Sequence, residues 1–244
     1  MNLLEFENIK KRFGDFEVLS DISFNVKSGE LFGLVGRSGS GKTTLLKILI
    51  GMARPSAGKI TFDNQNAIRK IKYLRKNTGF ASQENMLLDE LTIKENSYYF
   101  GDLYGVRKSQ IKIKFEELIQ LLDLKGFENT LIKDLSGGMK KRANILVSLI
   151  HDPKLLILDE PTVGLDSILR QTIWDYIHSI NKAGTTIFVT SHLLDEIEEN
   201  CDRIAILKKG SILSLASPEQ YKQHYGQYKS FNEVFEELLK NENI

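Results

Sequence analysis

Nine consecutive residues, Gly36-Arg37-Ser38-Gly39-Ser40-Gly41-Lys42-Thr43-Thr44, fit the pattern G-x-x-x-x-G-K-[ST] between two apolar runs. The order constrains the fold strongly, because it demands a buried strand, a turn that glycine makes easily, and a helix in immediate succession. Leu31, Phe32, Leu34 and Val35 supply the strand, and Leu45, Leu46, Ile48 and Leu49 supply the inner face of the helix. Glycines let backbone N–H groups close around phosphate oxygens, and the following helix turns its positive end toward the anion. Lys42 would reach the β- and γ-phosphates as a point charge, and the Thr43 hydroxyl would be a magnesium ligand. An accidental match in a chain of this length has odds of about one in a hundred from residue frequencies alone.

The 244 residues can bury one substantial core, or one core with a satellite, and 41% hydrophobic with 27% charged content is that of a globular protein. A formal net charge of +1 argues against a surface built to grip nucleic acid, so no nucleic-acid partner is expected. Cys201 is a lone cysteine and cannot form an internal disulfide. The opening Met-Asn-Leu-Leu-Glu-Phe-Glu lacks the charged stub and apolar stretch of a leader, which leads us to expect a reducing, cytoplasmic setting. No apolar run approaches eighteen residues, since Lys47 interrupts the longest candidate, so the chain is not expected to cross a membrane by itself.

Residues Leu3 to Val26 carry strand patterns, clearest where Ile22, Phe24 and Val26 alternate with Ser23, Asn25 and Lys27, as in an antiparallel sheet with one wet face. Short strands are predicted at Ile60–Phe62 and at Thr78–Ala81, the latter ending just before Gln83. From about 84 to 152 the period becomes helical: Ile111, Phe115, Leu118 and Leu122 form one stripe, and Ala143, Leu146, Val147 and Ile150 another. Leu155–Leu158 is continuously apolar, suits a strand covered on both faces, and stops at Asp159-Glu160. A helix from about Ser167, with Leu169, Ile173, Tyr176, Ile177 and Ile180 on one side, is closed by Gly184. The strand Thr186–Thr190 leads into Ser191-His192. Ile204–Leu207 and Ile212–Leu215, joined at Lys209-Gly210, read as a hairpin at the sheet edge. In the tail (221–244), Ser230 and Glu233 have capping-box spacing, and Phe231, Val234, Phe235, Leu238 and Leu239 predict a short amphipathic helix docked on its own domain.

Three strands therefore end in chemistry: the phosphate loop, the Asp159-Glu160 pair and His192. In open α/β sheets ligands bind beyond the carboxyl ends of strands, so these groups can converge. Asp159 suits a magnesium position, and Glu160 could poise an attacking water as general base. An acidic pair at a strand end is often just solvated charge; the loop upstream is what shifts the balance.

With these residues in place the chain resembles the nucleotide-binding domain of ATP-binding cassette proteins. Leu135-Ser136-Gly137-Gly138-Met139 is similar to that family's signature, and Gln83, Leu155–Glu160, Gly164-Leu165-Asp166 and His192 follow its order of motifs from about Leu3 to Pro218. The resemblance implies an α/β phosphate-loop ATPase core with a mostly parallel sheet, an N-terminal antiparallel β-subdomain and an inserted α-helical subdomain, within a domain spanning 1–220. It implies ATP and Mg2+ as cofactors, Gln83 and Asp159 beside the metal with Thr43, and Phe13 on the adenine face where the family usually has tyrosine. It also implies that Ser136, Gly137 and Gly138 meet the γ-phosphate bound by a second, head-to-tail copy, and that Glu160 and His192 serve hydrolysis. Met139 departs from the commoner glutamine but is usual in the exporter branch.

Leu91–Asn96, Leu103-Tyr104-Gly105, Gly138–Arg142 and Val163–Asp166 resemble the branch that exports drugs, antibiotics or polysaccharides. This points to a motor subunit peripheral to the inner face of the cell membrane. Its integral membrane permease partners would dock in a groove near residues 83–105, around Gln83, Asn85, Leu87, Leu91, Tyr98, Tyr99 and Tyr104. A soluble cassette ATPase of repair, translation or cluster assembly is the alternative, although such proteins usually carry two cassettes or a long coiled-coil insertion. A nucleotide kinase or GTP switch would give no reason for Leu135–Gly138 or His192.

Overall fold

The computed structural model describes residues 1–84, 86–226 and 230–240. Internal contacts divide the chain into two units, Met1–Leu74 with Phe188–Ile244, and Arg75–Ile187. Asn85, one of the residues expected near the partner groove, lies outside the described residues, as do 227–229 and 241–244 of the tail.

In the first unit, β1 (Asn2–Phe13) and β2 (Phe16–Lys27) form a long antiparallel hairpin. Its alternation has the expected result: Leu4, Phe6, Ile9, Ile22, Phe24 and Val26 are buried while Ser23 and Lys27 face water. β4 (Ala57–Phe62) extends the sheet beside β1, and the two-residue β5 (Gln65–Asn66) returns through Asp63-Asn64, both at positive φ as a tight hairpin turn requires. β3 (Leu31–Val35) is buried throughout and pairs in parallel with β9 (Arg203–Lys208), which forms an antiparallel hairpin with β10 (Ser211–Ala216). The chain re-enters this unit along the strand that runs Thr186–Ser191, β8, giving the order β5-β4-β1-β2-β10-β9-β3-β8.

The β9–β10 hairpin is therefore interior, and the expectation of an edge position is corrected. Ile204–Leu207 are all buried, which two-sided coverage demands and an edge strand would not. Its turn is pressed against β2: Ser20 N donates to Gly210 O at 2.9 Å, and a Cβ at Gly210 would meet Val18 O at 2.3 Å. The core carries a row of rings, Phe6 on Phe24, Phe24 on Phe32 and Phe32 on Phe188, with centroids 4.5, 5.3 and 5.4 Å apart. At its rim Arg203 forks onto buried Glu30, through Nε at 2.5 Å and a terminal nitrogen at 3.0 Å, and stands over Phe32. Losing either partner would strand a largely desolvated charge, a cost of about 3–5 kcal/mol. Cys201 is buried, as its type suggests, and burial pushes its thiol well above the ordinary range.

In the second unit β6 (Thr78–Ala81) and β7 (Leu155–Asp159) run parallel with Ala81 opposite Leu158. Around them lie α3 (Ile93–Leu103), α4 (Lys108–Leu121), a single tighter turn at Ile132–Asp134, α5 (Gly137–Leu149) and α6 (Ser167–Lys182). Both predicted stripes are buried. α3 starts at a capping box, Thr92 Oγ1 accepting from Glu95 N while Glu95 accepts from Thr92 N. On α6 the structure adds Trp174 to the buried face; the sequence reading passed over it because it neighbours Ile173 rather than following it by three or four. Gly79 has no room for a side chain, since its Cβ would lie 2.2 Å from Ser148 O.

His151 was given no context from sequence, yet it is a packing element of this unit. Its ring lies flat on Tyr104, centroids 3.7 Å apart, and Nε2 donates to Thr78 O at 3.2 Å. Burial pulls its pKa from 6.5 to about 4, opposed by the Thr78 hydrogen bond and by Asp152. The folded protein thus holds a neutral imidazole where the unfolded chain binds a proton. Its contribution is complete above pH 6.5 and is lost as pH falls toward 4, by up to about 3 kcal/mol. Urea unfolding from pH 7.5 to 4 should show this loss of stability, and His151→Phe should flatten the slope between pH 6.5 and 4.

Candidate functional site

The phosphate loop leaves β3 at Gly36 and passes into α1 (Lys42–Leu49) through Gly41, whose φ of 112° puts it in backbone space that favours glycine. It is seated tightly. A Cβ at Gly36 would lie 2.5 Å from Leu207 O and 2.6 Å from Ser40 Oγ, and one at Gly41 would lie 2.7 Å from Leu19 Cδ2. Arg37, Ser38 and Gly39 are exposed, whereas Ser40 is buried with its hydroxyl oxygen lacking a hydrogen-bond partner. α1 has no side-chain cap, so its first N–H groups are not taken up by a capping side chain, and it is anchored by buried Leu45, Leu46, Ile48 and Leu49. Lys42 Nζ, half-buried, donates to the carbonyls of Gly36 and Arg37, which holds the ammonium over the loop; Thr43 is exposed and Thr44 half-buried beside it.

Two further expected residues belong to this unit. His192 is exposed directly after β8, which lies next to β3 in the sheet. Phe13 ends β1 at the hairpin tip, 56% exposed, with Lys11 Nζ 4.7 Å from its ring centre. Phe16, its cross-strand partner, is also exposed, so the tip offers two aromatic rings where the sequence reading singled out one.

The second unit assembles the others. The β6–β7 register puts Ala81 opposite Leu158, so that Gln83, exposed and two residues past Ala81, and the Asp159-Glu160 pair follow at the same end of the two strands. Asn144 of α5 is buried and donates to Ser82 O at 3.2 Å, fixing this exit to α5. Glu160 is 8% exposed and has a left-handed backbone, φ 53°, a conformation costing about 1–2 kcal/mol in a residue other than glycine. Such strain accumulates where a side chain must point in a required direction. Lys141 Nζ donates to Glu160 O at 3.3 Å, and burial lowers its pKa against the pull of the Glu160 charge. In sequence Lys141 stands only within Gly138–Arg142; its spacing three residues after Gly138 is the available signal.

Ser136 caps α5, its hydroxyl accepting from Met139 N at 3.3 Å. Ser136 and Gly137 are exposed, and a Cβ on Gly137 would meet nothing within 4 Å, whereas Gly138 is buried against Leu169. A helix N-terminus therefore opens toward solvent with Lys140 behind it, an arrangement suited to an anion.

The model of the ABC transporter family matches residues 19–163, more than half of the chain. The chain belongs to the ABC transporter family. It is 38% identical over 224 residues to the Nod factor export ATP-binding protein I of Rhizobium sp. (strain N33), covering 91% of this chain and 74% of that one. A solved ATP-binding subunit of an ABC transporter shares its fold with a TM-score of 0.88 at 25% identity, over 97% of this chain and 99% of that one. A dimeric ATP-binding cassette in a post-hydrolysis state, bound to ADP and Pi, superposes with a TM-score of 0.78 at 26% identity, over 88% and 98%. Like its relatives, this ABC subunit is an ATP-binding, ATP-hydrolysing chain. Its loop fits that ligand: tight glycines, an uncapped helix start, an unpartnered buried hydroxyl and a poised ammonium form a cradle that a Cβ would fill.

Because the obstacles at Gly36 include a backbone carbonyl, Gly36→Ala cannot be absorbed by a rotamer change. ATP binding should weaken about tenfold or more, corresponding to roughly 1.4 kcal/mol, while the far-ultraviolet spectrum stays native. Titration with a fluorescent ATP analogue measures it; unchanged affinity would separate loop seating from ATP binding.

Proposed function

We propose that this chain is the motor subunit of a membrane exporter, working at the inner face of the cell membrane as a head-to-tail pair of copies. The observation that carries the pairing is the open N-terminus of α5 at Ser136 and Gly137, a second helix end suited to an anion on a chain that already has a phosphate loop. Two copies give each such end a use, on the γ-phosphate held by the other copy's loop. Export is supported by the likeness to the Nod factor export ATP-binding protein I.

In this reading the residues divide the work. Gly36 to Thr44 hold the phosphates, with Lys42 neutralising the β- and γ-oxygens, and Phe13 lies against the adenine. Thr43, Gln83 and Asp159 would hold Mg2+, which when bound supplies Lewis-acid neutralisation of phosphate oxygens. Glu160 accepts the proton of the attacking water, its direction set by its left-handed backbone. His192 donates to the γ-phosphate. Ser136, Gly137 and Gly138 complete the site in trans, so that ATP joins the copies and hydrolysis releases them.

Membrane permease subunits would dock near 83–105. Tyr99 is 47% exposed and Met86, Leu88 and Leu103 are also exposed, which gives the surface apolar area with polar tips. The roles expected of the neighbouring residues divide: Leu87 is buried, Tyr98 is half-buried, and Tyr104 is occupied in its stack on His151. Buried Asn96 accepts from Leu88 N and donates to Leu88 O, Leu91 O and Thr92 O, which keeps the 88–92 segment in shape. No helix among the described residues is long and apolar enough to cross a membrane.

Glu160→Gln should retain ATP binding, lower turnover by about a hundredfold or more, and run as a dimer on size exclusion with ATP and magnesium. Turnover near wild type would remove Glu160 from the mechanism. For the docking surface, Tyr99→Asp should spare the ATPase activity of the isolated chain and reduce the amount of membrane subunit that co-purifies with it. Undiminished co-purification would place the contact elsewhere.

A further inference from the structure

The helix α9 (Phe231–Lys240) is seated by an apolar stripe of Phe231, Val234, Phe235 and Leu239, all buried. The ring of Phe231 meets Tyr221 edge-on at 5.1 Å, and Asn232 Nδ2 donates to Asp195 Oδ1 at 2.6 Å, on α7 (Leu194–Asn200), the helix that follows His192. So seated, α9 reaches two cations at the rim of the phosphate loop. Glu236 accepts from Arg37, the second residue of the loop, at 2.5 Å, and the Leu239 carbonyl accepts from Lys208 Nζ at 2.6 Å. A cavity of about 280 Å³ lies between, lined by Arg37, Ser38, Gly39, Lys208, Lys209 and Leu239. The helix thus brings a carboxylate and its own negative C-terminal end to a collar otherwise suited to phosphate.

We propose that α9 is an acidic strap on the phosphate loop, and that Glu236 is a positioning residue which, by holding Arg37, lowers the loop's affinity for ATP. The proposal rests on the ATP-binding role given above. Glu236 and Arg37 are 45% and 63% exposed, so water and salt screen the pair and its effect is graded. The apolar seat and the Asn232–Asp195 contact do not involve the Glu236 charge, so neutralising it leaves the helix in place. What changes is the freedom of the guanidinium to turn toward an incoming phosphate.

The test uses the full chain, ATP titrations with magnesium, steady-state hydrolysis and thermal melting. E236Q should lower the ATP Kd and KM about two- to fivefold, with maximal turnover and Tm unchanged. The gain should vanish in 1 M NaCl, where the screening length is about 3 Å. E236D, which keeps the charge, should stay near wild type. In an R37A background E236Q should produce no further change, as one shared interaction requires. Unmoved or weaker ATP binding in E236Q would overturn the strap, and so would an equal shift in the R37A background. A wild-type chain that binds no ATP would overturn the assigned function together with it, whereas wild-type binding with an unresponsive E236Q overturns the strap alone.

Discussion

Close approach of backbone to backbone beneath the phosphate loop governs the arrangement of the first unit. Gly36 lies against the Leu207 carbonyl and Gly210 against the Val18 carbonyl, each at a distance no Cβ tolerates, while Gly41 lies against the Leu19 side chain. Together these contacts draw β2, the β9–β10 hairpin and the loop into one seat. The interior place of the hairpin follows, because its turn must rest on β2 while β9 pairs with β3. The loop is therefore pre-shaped by its contacts with β2 and the β9–β10 hairpin, and its entropy of ordering is met at folding rather than at binding.

In the proposed function two helix starts carry the anion chemistry, and they differ in how they are finished. Gly41 leaves α1 without a side-chain cap, so its first N–H groups are not satisfied by a capping side chain and suit a ligand held deep in the loop. Ser136 caps α5 through Met139 N, so the helix is stable in its own right and presents an exposed Gly137 beside the cap. The first end is built to enclose an anion and the second to meet one brought to it. This asymmetry accords with the proposed binding step followed by closure of two copies.

Most of the fold was legible because its strands and helices obey simple periods. The β1–β2 alternation, the buried run Leu155–Leu158 and the α4 and α5 stripes each state their own environment. The phosphate loop and signature were legible for another reason: their chemistry needs fixed spacings within one local segment. What escaped depends on contacts between distant segments. The hairpin's interior position is set by Val18 and Ser20, some 190 residues earlier, and its own sequence is compatible with an edge. Trp174 was passed over because its neighbour already filled the periodic position. His151 looked idle because its partners, Tyr104 and Thr78, are 47 and 73 residues away. Glu160 was legible as a carboxylate, but its left-handed backbone and its tie to Lys141 were not.

The tail shows how a correct local reading can miss a long-range consequence. The stripe Phe231, Val234, Phe235, Leu238 and Leu239 predicts a docked helix; all but the half-buried Leu238 are buried, and the half of the capping box in which Ser230 accepts from Glu233 N is present at 3.3 Å. Hydrophobic seating fixes the azimuth of such a helix, and once the azimuth is fixed each remaining position has a fixed neighbour. Glu236 follows Asn232 by four residues, so both lie on one flank of α9, and the seat turns that flank toward Asp195 at one end and Arg37 at the other. An acidic residue that reads as ordinary solvated charge is thereby brought to a loop whose affinity depends on positive potential. The apolar face determines where the helix sits, and the charged flank determines what the sitting does.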